Sequence, residues 1–312
     1  MFAYTIRRLL FAIPTILAVV TICYVMVHLT PGGPFDHERK LPPAVLANLQ
    51  AKYHLDESPL QQYFFYLGRL LHGDLGASFK YADWTVNELV AKALPVSLAV
   101  GGLSVPISML IGIAMGTVAA VRRNSAVDYL VSALGNVGNA IPSFVLGPVL
   151  ILVFALLLQN GHGVGWLPAG GWGGWRFRVL PITLLTIVNV ATISRVMRGS
   201  LLEVLSSSFV RTARAKGLPE RTVILRHAMR PALMPVLSLF TSIALSSITA
   251  AIVTETVFSL PGLGQLIING AINRDYTLVL GMVIIYSGLL IAMGLLVDLL
   301  YAWLDPRVRT QR

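Results

Sequence analysis

Residues Tyr276–Val297 read YTLVLGMVIIYSGLLIAMGLLV, 22 residues without an Asp, Glu, Lys or Arg. A helix rises about 1.5 Å per residue, so this run reaches across a hydrocarbon layer about 30 Å thick. It reads as a membrane-spanning helix. Five more charge-free runs precede it: Leu9–Leu29, Pro95–Val121, Tyr129–Leu158, Val179–Ser194 and Ala232–Thr254. Pro14 in the first is tolerated. The third is long enough to span with tilt, or with a break near Pro142 or Pro148. The fourth, at 16 residues, is short. It is expected to run past Arg195, whose head would snorkel or face protein. Six spanning helices is the simplest count, and the expected fold is an all-α integral membrane protein.

Composition agrees. Of 312 residues, 55% are hydrophobic and 12% charged, and the mean hydropathy is +0.74. A water-soluble fold needs more charge than this to cover its surface. A soluble enzyme, a disordered chain and a disulfide-stapled mini-protein are thereby excluded. The single cysteine, Cys23, lies within the first apolar run and can form no intrachain disulfide. That run follows Arg7 and Arg8 as a signal peptide would. It is too long for an h-region, and Thr30-Pro31-Gly32-Gly33-Pro34 offers no small-x-small cleavage site, so an uncleaved first helix is expected.

The net charge of +10 reflects basic residues held in cytoplasmic loops rather than nucleic-acid binding. With the N-terminus inside, 15 of the 24 Lys and Arg residues fall on the cytoplasmic side. Both termini are therefore expected in the cytoplasm. The chain divides into residues 1–30, the N-terminal end and first helix; 31–94, an extracytoplasmic region; and 95–312, a core of five further helices.

Three connecting segments stand out. In the first external region, Leu41–Tyr53 and Pro59–Leu71 have helical spacing, the latter with Leu60, Phe64, Leu67 and Leu71 on one stripe. Residues 159–178 hold seven glycines with Trp166, Trp172 and Trp175, a pattern of irregular backbone anchored at the membrane interface. The internal segment 198–231 is basic yet patterned. Phe209–Lys216 reads as a short helix, Gly217-Leu218-Pro219 as a turn, and Glu220–Met229 as a second helix stopped at Pro231. Such a hairpin can be gripped from the cytoplasm and transmit force to the attached spans.

The run Arg211-Thr212-Ala213-Arg214-Ala215-Lys216-Gly217-Leu218, followed by Arg226-His227-Ala228, resembles the coupling loop of binding-protein-dependent ABC importer permeases. Other stretches narrow the resemblance to the dipeptide/oligopeptide/nickel branch, first-permease type. They are Tyr4–Leu10 with Pro14, His72-Gly73-Asp74-Leu75-Gly76-Ala77-Ser78, Thr254–Gly264, Asn273-Arg274-Asp275-Tyr276, Val297–Tyr301 and Leu304-Asp305-Pro306-Arg307. The wider importer signature, E-A-A-x-x-x-G followed by I-x-L-P, is only partly present. Aligned on Gly217, Ala213 keeps an alanine, Arg211 and Thr212 replace the Glu and the other Ala, and the I-x-L-P half is out of register.

The resemblance implies a type I importer permease: six spans, an extended external region after helix 1, and a cytoplasmic coupling helix between helices 4 and 5. It implies a second, homologous permease, two ATPase subunits holding ATP and Mg, and an extracytoplasmic solute-binding protein. The expected cargo is a di- or oligopeptide; a nickel chelate, glutathione or haem is the alternative within the same complex type. The implied coupling residues are Arg211, Ala213, Arg214, Ala215, Lys216, Gly217, Leu218 and Glu220. Gly217 would make the turn, Ala213 and Ala215 would allow close approach, and Arg214 and Lys216 would meet ATPase acids. No cofactor, metal or catalytic site is expected in this chain.

Ionisable residues bear on the mechanism. A proton- or ion-coupled carrier places them at mid-membrane; here Arg195, Glu255 and Asp298 lie at or near run ends. That favours mechanical coupling over an autonomous carrier or channel. No GxxxxGK[ST], HExxH or GxSxG occurs, which argues against nucleotide hydrolysis or intramembrane enzymology by this chain. Glu255 is a candidate external gate or partner contact, with a structural hydrogen bond as the plain alternative. His28 reads as structural. Asn136, Asn139, Ser143, Asn189 and Ser242 are candidates for lining a path.

Overall fold

The computed structural model describes residues 2–29, 56–81, 83–158 and 165–304. The described residues are helical apart from turns, loops and one isolated bridge between Ala77 and Thr85. The helices are α1 (Phe2–Leu29), α2 (Pro59–Leu71), α3 (Val86–Val121), α4 (Ala126–Ala140), α5 (Ser143–Ile151), α6 (Arg176–Leu205), α7 (Ser208–Ala215), α8 (Glu220–Thr222), α9 (Met229–Val257), α10 (Leu263–Ile272) and α11 (Tyr276–Leu304). Wider π turns extend α5 over Leu152–Leu157 and join α8 to α9 over Val223–Ala228. Among the described residues five helices are long and apolar enough to cross a membrane, or six where α4 and α5, which meet at a bend of 107°, are counted as one broken span. The break follows Ile141-Pro142, one of the two positions expected.

The fourth span runs past Arg195 as expected: α6 is 30 residues long, and Asn136 accepts from Arg195 while Asp128 accepts from Arg198. Pro231 does not stop a helix, which corrects the expectation of one. It lies inside the continuous helical stretch from Glu220, just after the π turns, whose wider spacing shifts the carbonyls that its absent N–H would otherwise meet. On α2, the stripe Leu60, Phe64 and Leu71 is exposed, while Tyr66 is buried and Tyr63 and Leu67 pack beside it. Tyr63 and Tyr66 bring hydroxyls as well as apolar area, and the Tyr63 hydroxyl finds Thr21 at 2.6 Å. The helix expected at Leu41–Tyr53 lies outside the described residues.

Two compact units are distinguished: residues 1–95 with 262–295, and 96–261 with 296–312. In the first, α2 opens at Ser58, whose side chain and that of Gln61 form a reciprocal capping box, with Pro59 at the first helical position. The Tyr24 hydroxyl donates to the Pro59 carbonyl at 2.7 Å, fastening α1 to α2. The start of α3 is set by Thr85 and Glu88, which cap each other's backbone N–H; a search for charge-free runs could not see this amphipathic extension. Asp275, fully buried ahead of α11, accepts from Leu278 N at 3.1 Å, Phe79 N at 3.1 Å, Lys80 N at 3.3 Å and the Ser78 hydroxyl. Two motifs nearly 200 residues apart in sequence therefore meet at one carboxylate. Beside them, Gly76 lies at φ +100°, and a Cβ there would overlap the Thr277 methyl.

The second unit is organised around α6, which buries Leu180, Leu184, Leu185, Ile193, Met197 and Leu201. Small residues let its neighbours come close. A Cβ on Gly116 of α3 would lie 2.5 Å from the Ser194 carbonyl oxygen and 2.7 Å from Met197 Cβ. Gly138 of α4 faces Ala191 and Ile187. Asn189 of α6 donates to Ser247 of α9 at 3.0 Å inside the packing. In the glycine-rich loop, Gly171 N donates to the Phe258 carbonyl at 2.8 Å, Trp172 packs against the core cluster of Leu180 and Phe258, and Trp166 and Trp175 stay exposed. Two of the three tryptophans thus suit an interface, and the third anchors the loop.

Candidate coupling segment and transport face

The segment after α6 is a rigid hairpin. Val210 and Ala213 of α7 are buried with Val223, Ala228, Met197 and Leu201, so its inner face is part of the core. Gly217 turns the chain at φ +77°, and its N–H donates to the Arg214 carbonyl at 2.9 Å. A Cβ there would meet open space, so backbone conformation rather than crowding calls for glycine. Pro219 opens the second arm and accepts from Thr222 N and Val223 N. Arg214 and Glu220 close the hairpin through two hydrogen bonds of 2.6 and 3.1 Å. The Glu220 carboxylate holds the Arg214 guanidinium above its already high ordinary pKa.

The residues proposed from sequence separate into two groups. Arg211, Ala215, Lys216 and Gly217 are exposed. Ala213 is buried within this chain and Leu218 packs against the same core, while Arg214 and Glu220 pair with each other. The close approach that Ala213 allows is thus to this chain's own α8–α9 arm. Exposed beside the free group are Arg221, Arg226 and Arg230, with the apolar Phe209 and Leu225. Phe209 and Leu225 were missed. Three-residue spacing of the buried pair Val210 and Ala213 is the sequence signal that puts Phe209 on the outer side. The surface is a fixed cationic hairpin with two apolar points, suited to a groove lined by acids.

Glu255 is fully buried, and the Ser97 hydroxyl donates to it at 2.5 Å. It ties α9 to α3 through a buried hydrogen bond, in line with the structural alternative given for it. His28 bonds the Tyr24 carbonyl and stacks on its ring, a structural role as read. Of the polar residues considered for a path, Asn189 is taken up by Ser247. Asn136 accepts from Arg195 at 3.0 Å and Asn139 from Thr192 at 3.3 Å, both on the exposed seam between α4 and α6. Asp128, on the same seam, is buried and bound bidentately by Arg198 at 2.5 and 2.7 Å. Ser143 is half-buried and Ser242 exposed. Among the described residues no cluster of His, Cys, Asp or Glu could hold a metal ion.

Residues 110–310 match the family described as binding-protein-dependent transport system inner membrane component. The chain belongs to that permease family. This permease is 49% identical to the oligopeptide transport system permease protein OppB of Salmonella typhimurium, over 99% of this chain and 100% of the relative. It is 38% identical to the dipeptide transport system permease protein DppB of Bacillus subtilis, over 99% of this chain and 98% of the relative. Its fold is that of the MetNI methionine ABC transporter in an inward-facing form, with a TM-score of 0.56 at 19% identity, covering 70% of this chain and 96% of that one. The permease is thus an inner-membrane transport subunit of the type I importer fold, not a catalytic one, and works with ATPase and substrate-binding components.

Proposed function

We propose that this permease forms half of the membrane path of an ATP-driven importer of di- or oligopeptides, the other half being a second permease of the same kind. The observation that carries the reading is end-to-end likeness to an oligopeptide permease at 49% identity, supported by a cationic hairpin in the coupling position. A binding protein delivers the peptide outside. Two ATPase subunits, holding ATP and Mg, dock inside, where both termini lie. Arg211, Lys216, Arg221, Phe209 and Leu225 meet the ATPase, with Ala215 and Gly217 allowing close contact. Ala213, Leu218 and the Arg214–Glu220 pair keep the hairpin rigid, so that closure of the ATPases moves α6 and α9. Glu255 serves as an internal tie.

The test is reconstitution of the co-purified complex in liposomes, with labelled tetra-alanine and the binding protein outside and ATP inside. ATP-dependent uptake is expected. Gly217→Pro cannot take φ +77° and loses the N–H bonded to Arg214, so uptake and stimulated hydrolysis should both vanish. Lys216→Glu with Arg221→Glu alters only exposed charges and should leave the chain folded but uncoupled. Normal stimulated hydrolysis in both variants would remove the coupling assignment.

A further inference from the structure

We propose that Arg195 is a substrate-binding residue, which receives the terminal carboxylate of an extended peptide lying in the groove between α3, α4 and α6. The proposal rests on the peptide-import reading above.

Helix register sets the level of the guanidinium. Asn139 faces Thr192 and Asn136 faces Arg195; three residues back along α4 match three residues forward along α6, as antiparallel neighbours require. Arg195 therefore meets a partner at its own level. In the same register Asp128 lies level with residue 203. Arg198 must stretch about 7.5 Å toward the end of α6 to reach it. The two arginines thus do different work. Arg198 is committed to a bidentate ion pair. Arg195 spends one N–H of its five donors on Asn136. It is exposed, and its other donors have no partner among the described residues.

Those donors border a cavity of about 220 Å³ whose polar lining is Ser132, Asn136, Ser194, Arg195 and Arg198. Through Gly135, Ala191 and Ser194 it adjoins a long apolar groove of about 810 Å³ that continues to Arg178 and Trp175. Thr186 lines that groove, and its hydroxyl is buried with no hydrogen-bond partner among the described residues. From Ser194 to Arg178 is 16 residues of α6, about 24 Å, room for roughly seven extended residues.

Open guanidinium donors are poorly served by lipid chains, and near the end of its apolar run Arg195 has water, headgroups, protein or an anion to meet instead. A planar carboxylate is the complement of an arginine fork, and an extended chain with a carboxylate end and small or apolar side chains matches the groove. A phospholipid also combines an anion with apolar chains. Its tails occupy one leaflet, about 15 Å, whereas the groove runs for about 24 Å with polar groups at both ends and Thr186 between.

The experiment uses the reconstituted complex with saturating binding protein, whose affinity for each probe is measured separately. The probes are labelled tetra-alanine and its C-terminal amide. Arg195→Gln should slow uptake of the free acid about tenfold, the worth of a charged hydrogen bond, and slow the amide less than about twofold. Arg195→Lys should restore the preference for the acid. An equal effect on both probes, or none on either, would overturn the proposal. So would an equal effect accompanied by loss of a phospholipid adduct in native mass spectrometry, which gives the groove to lipid. If wild-type complex imports neither probe, the import reading itself fails and this proposal falls with it.

Discussion

Asp275→Asn changes one atom of the carboxylate that joins two distant motifs. The Asp275 Oδ2 atom accepts from Phe79 N, Lys80 N and the Ser78 hydroxyl, and Oδ1 accepts from Leu278 N. An asparagine has one accepting oxygen, so whichever way it turns its NH2 faces a donor. Keeping the oxygen on the loop side leaves the Leu278 N–H uncapped, about 1 kcal/mol. Losing the negative charge weakens each backbone bond to the loop by about 1 kcal/mol. The total is about 3 kcal/mol, a large part of a typical stability of about 5–15 kcal/mol. If it appears as local opening, the Phe79 and Lys80 amides should exchange with solvent about a hundredfold faster. Hydrogen exchange by mass spectrometry on detergent-solubilised protein reads this directly, with Leu184 and Leu185 of α6 as an unchanged internal standard. Ser78→Ala removes one donor to Asp275 and the hydroxyl that accepts from Lys80 N and Tyr81 N, but it keeps the carboxylate charge, so the Phe79 amide should respond less than in Asp275→Asn. Exchange at Phe79 and Lys80 within about twofold of wild type would refute the argument that the charge of Asp275 holds the loop.

Three further outcomes follow from the packing. Arg198→Met leaves the Asp128 carboxylate buried without its counter-charge and should destabilise the protein by about 3–5 kcal/mol; adding Asp128→Leu should recover much of that, as read by thermal unfolding in detergent. Gly116→Val would push α3 off the Ser194 carbonyl and Met197, costing about 1–3 kcal/mol, and should lower melting temperature more than Gly101→Val, where a Cβ meets nothing. Burial raises the pKa of Asp74, but Gly76 N and the Arg69 guanidinium outweigh it, so the net shift is downward. The Arg69–Asp74 contribution is therefore complete above pH 3.8 and is lost as pH falls below that value, with proteolysis near residues 72–81 as the readout.

Much of the architecture was legible because it is local. Charge-free length marked the spans, proline with a bend marked the broken one, and Gly217-Leu218-Pro219 marked the hairpin turn that the φ of +77° confirms. What the linear pattern left open was decided by distant partners. The expectation that α6 runs past Arg195 is met, and the groups that receive the two arginines, Asn136 and Asp128, come from α4. For Glu255 the sequence left a gate and a structural hydrogen bond both open, and the Ser97 hydroxyl on α3 supplies such a bond in the interior. On α2 the spacing of Leu60, Phe64, Leu67 and Leu71 marked the helix, and the structure then shows that the tyrosine face packs, where Thr21 and Cys23 of α1 meet it.

By itself the sequence determined that the chain crosses a membrane, roughly where, and which motifs mark it as an importer permease. These depend on hydrophobic length, turn-forming residues and order along the chain. Only the tertiary structure decided that Asp275 joins residues 78–80, that Ala213, Arg214 and Glu220 serve the hairpin itself, and that Arg195 keeps open donors while Arg198 does not. Burial and charge pairing belong to neighbours brought together by packing, and a linear chain does not carry those distances.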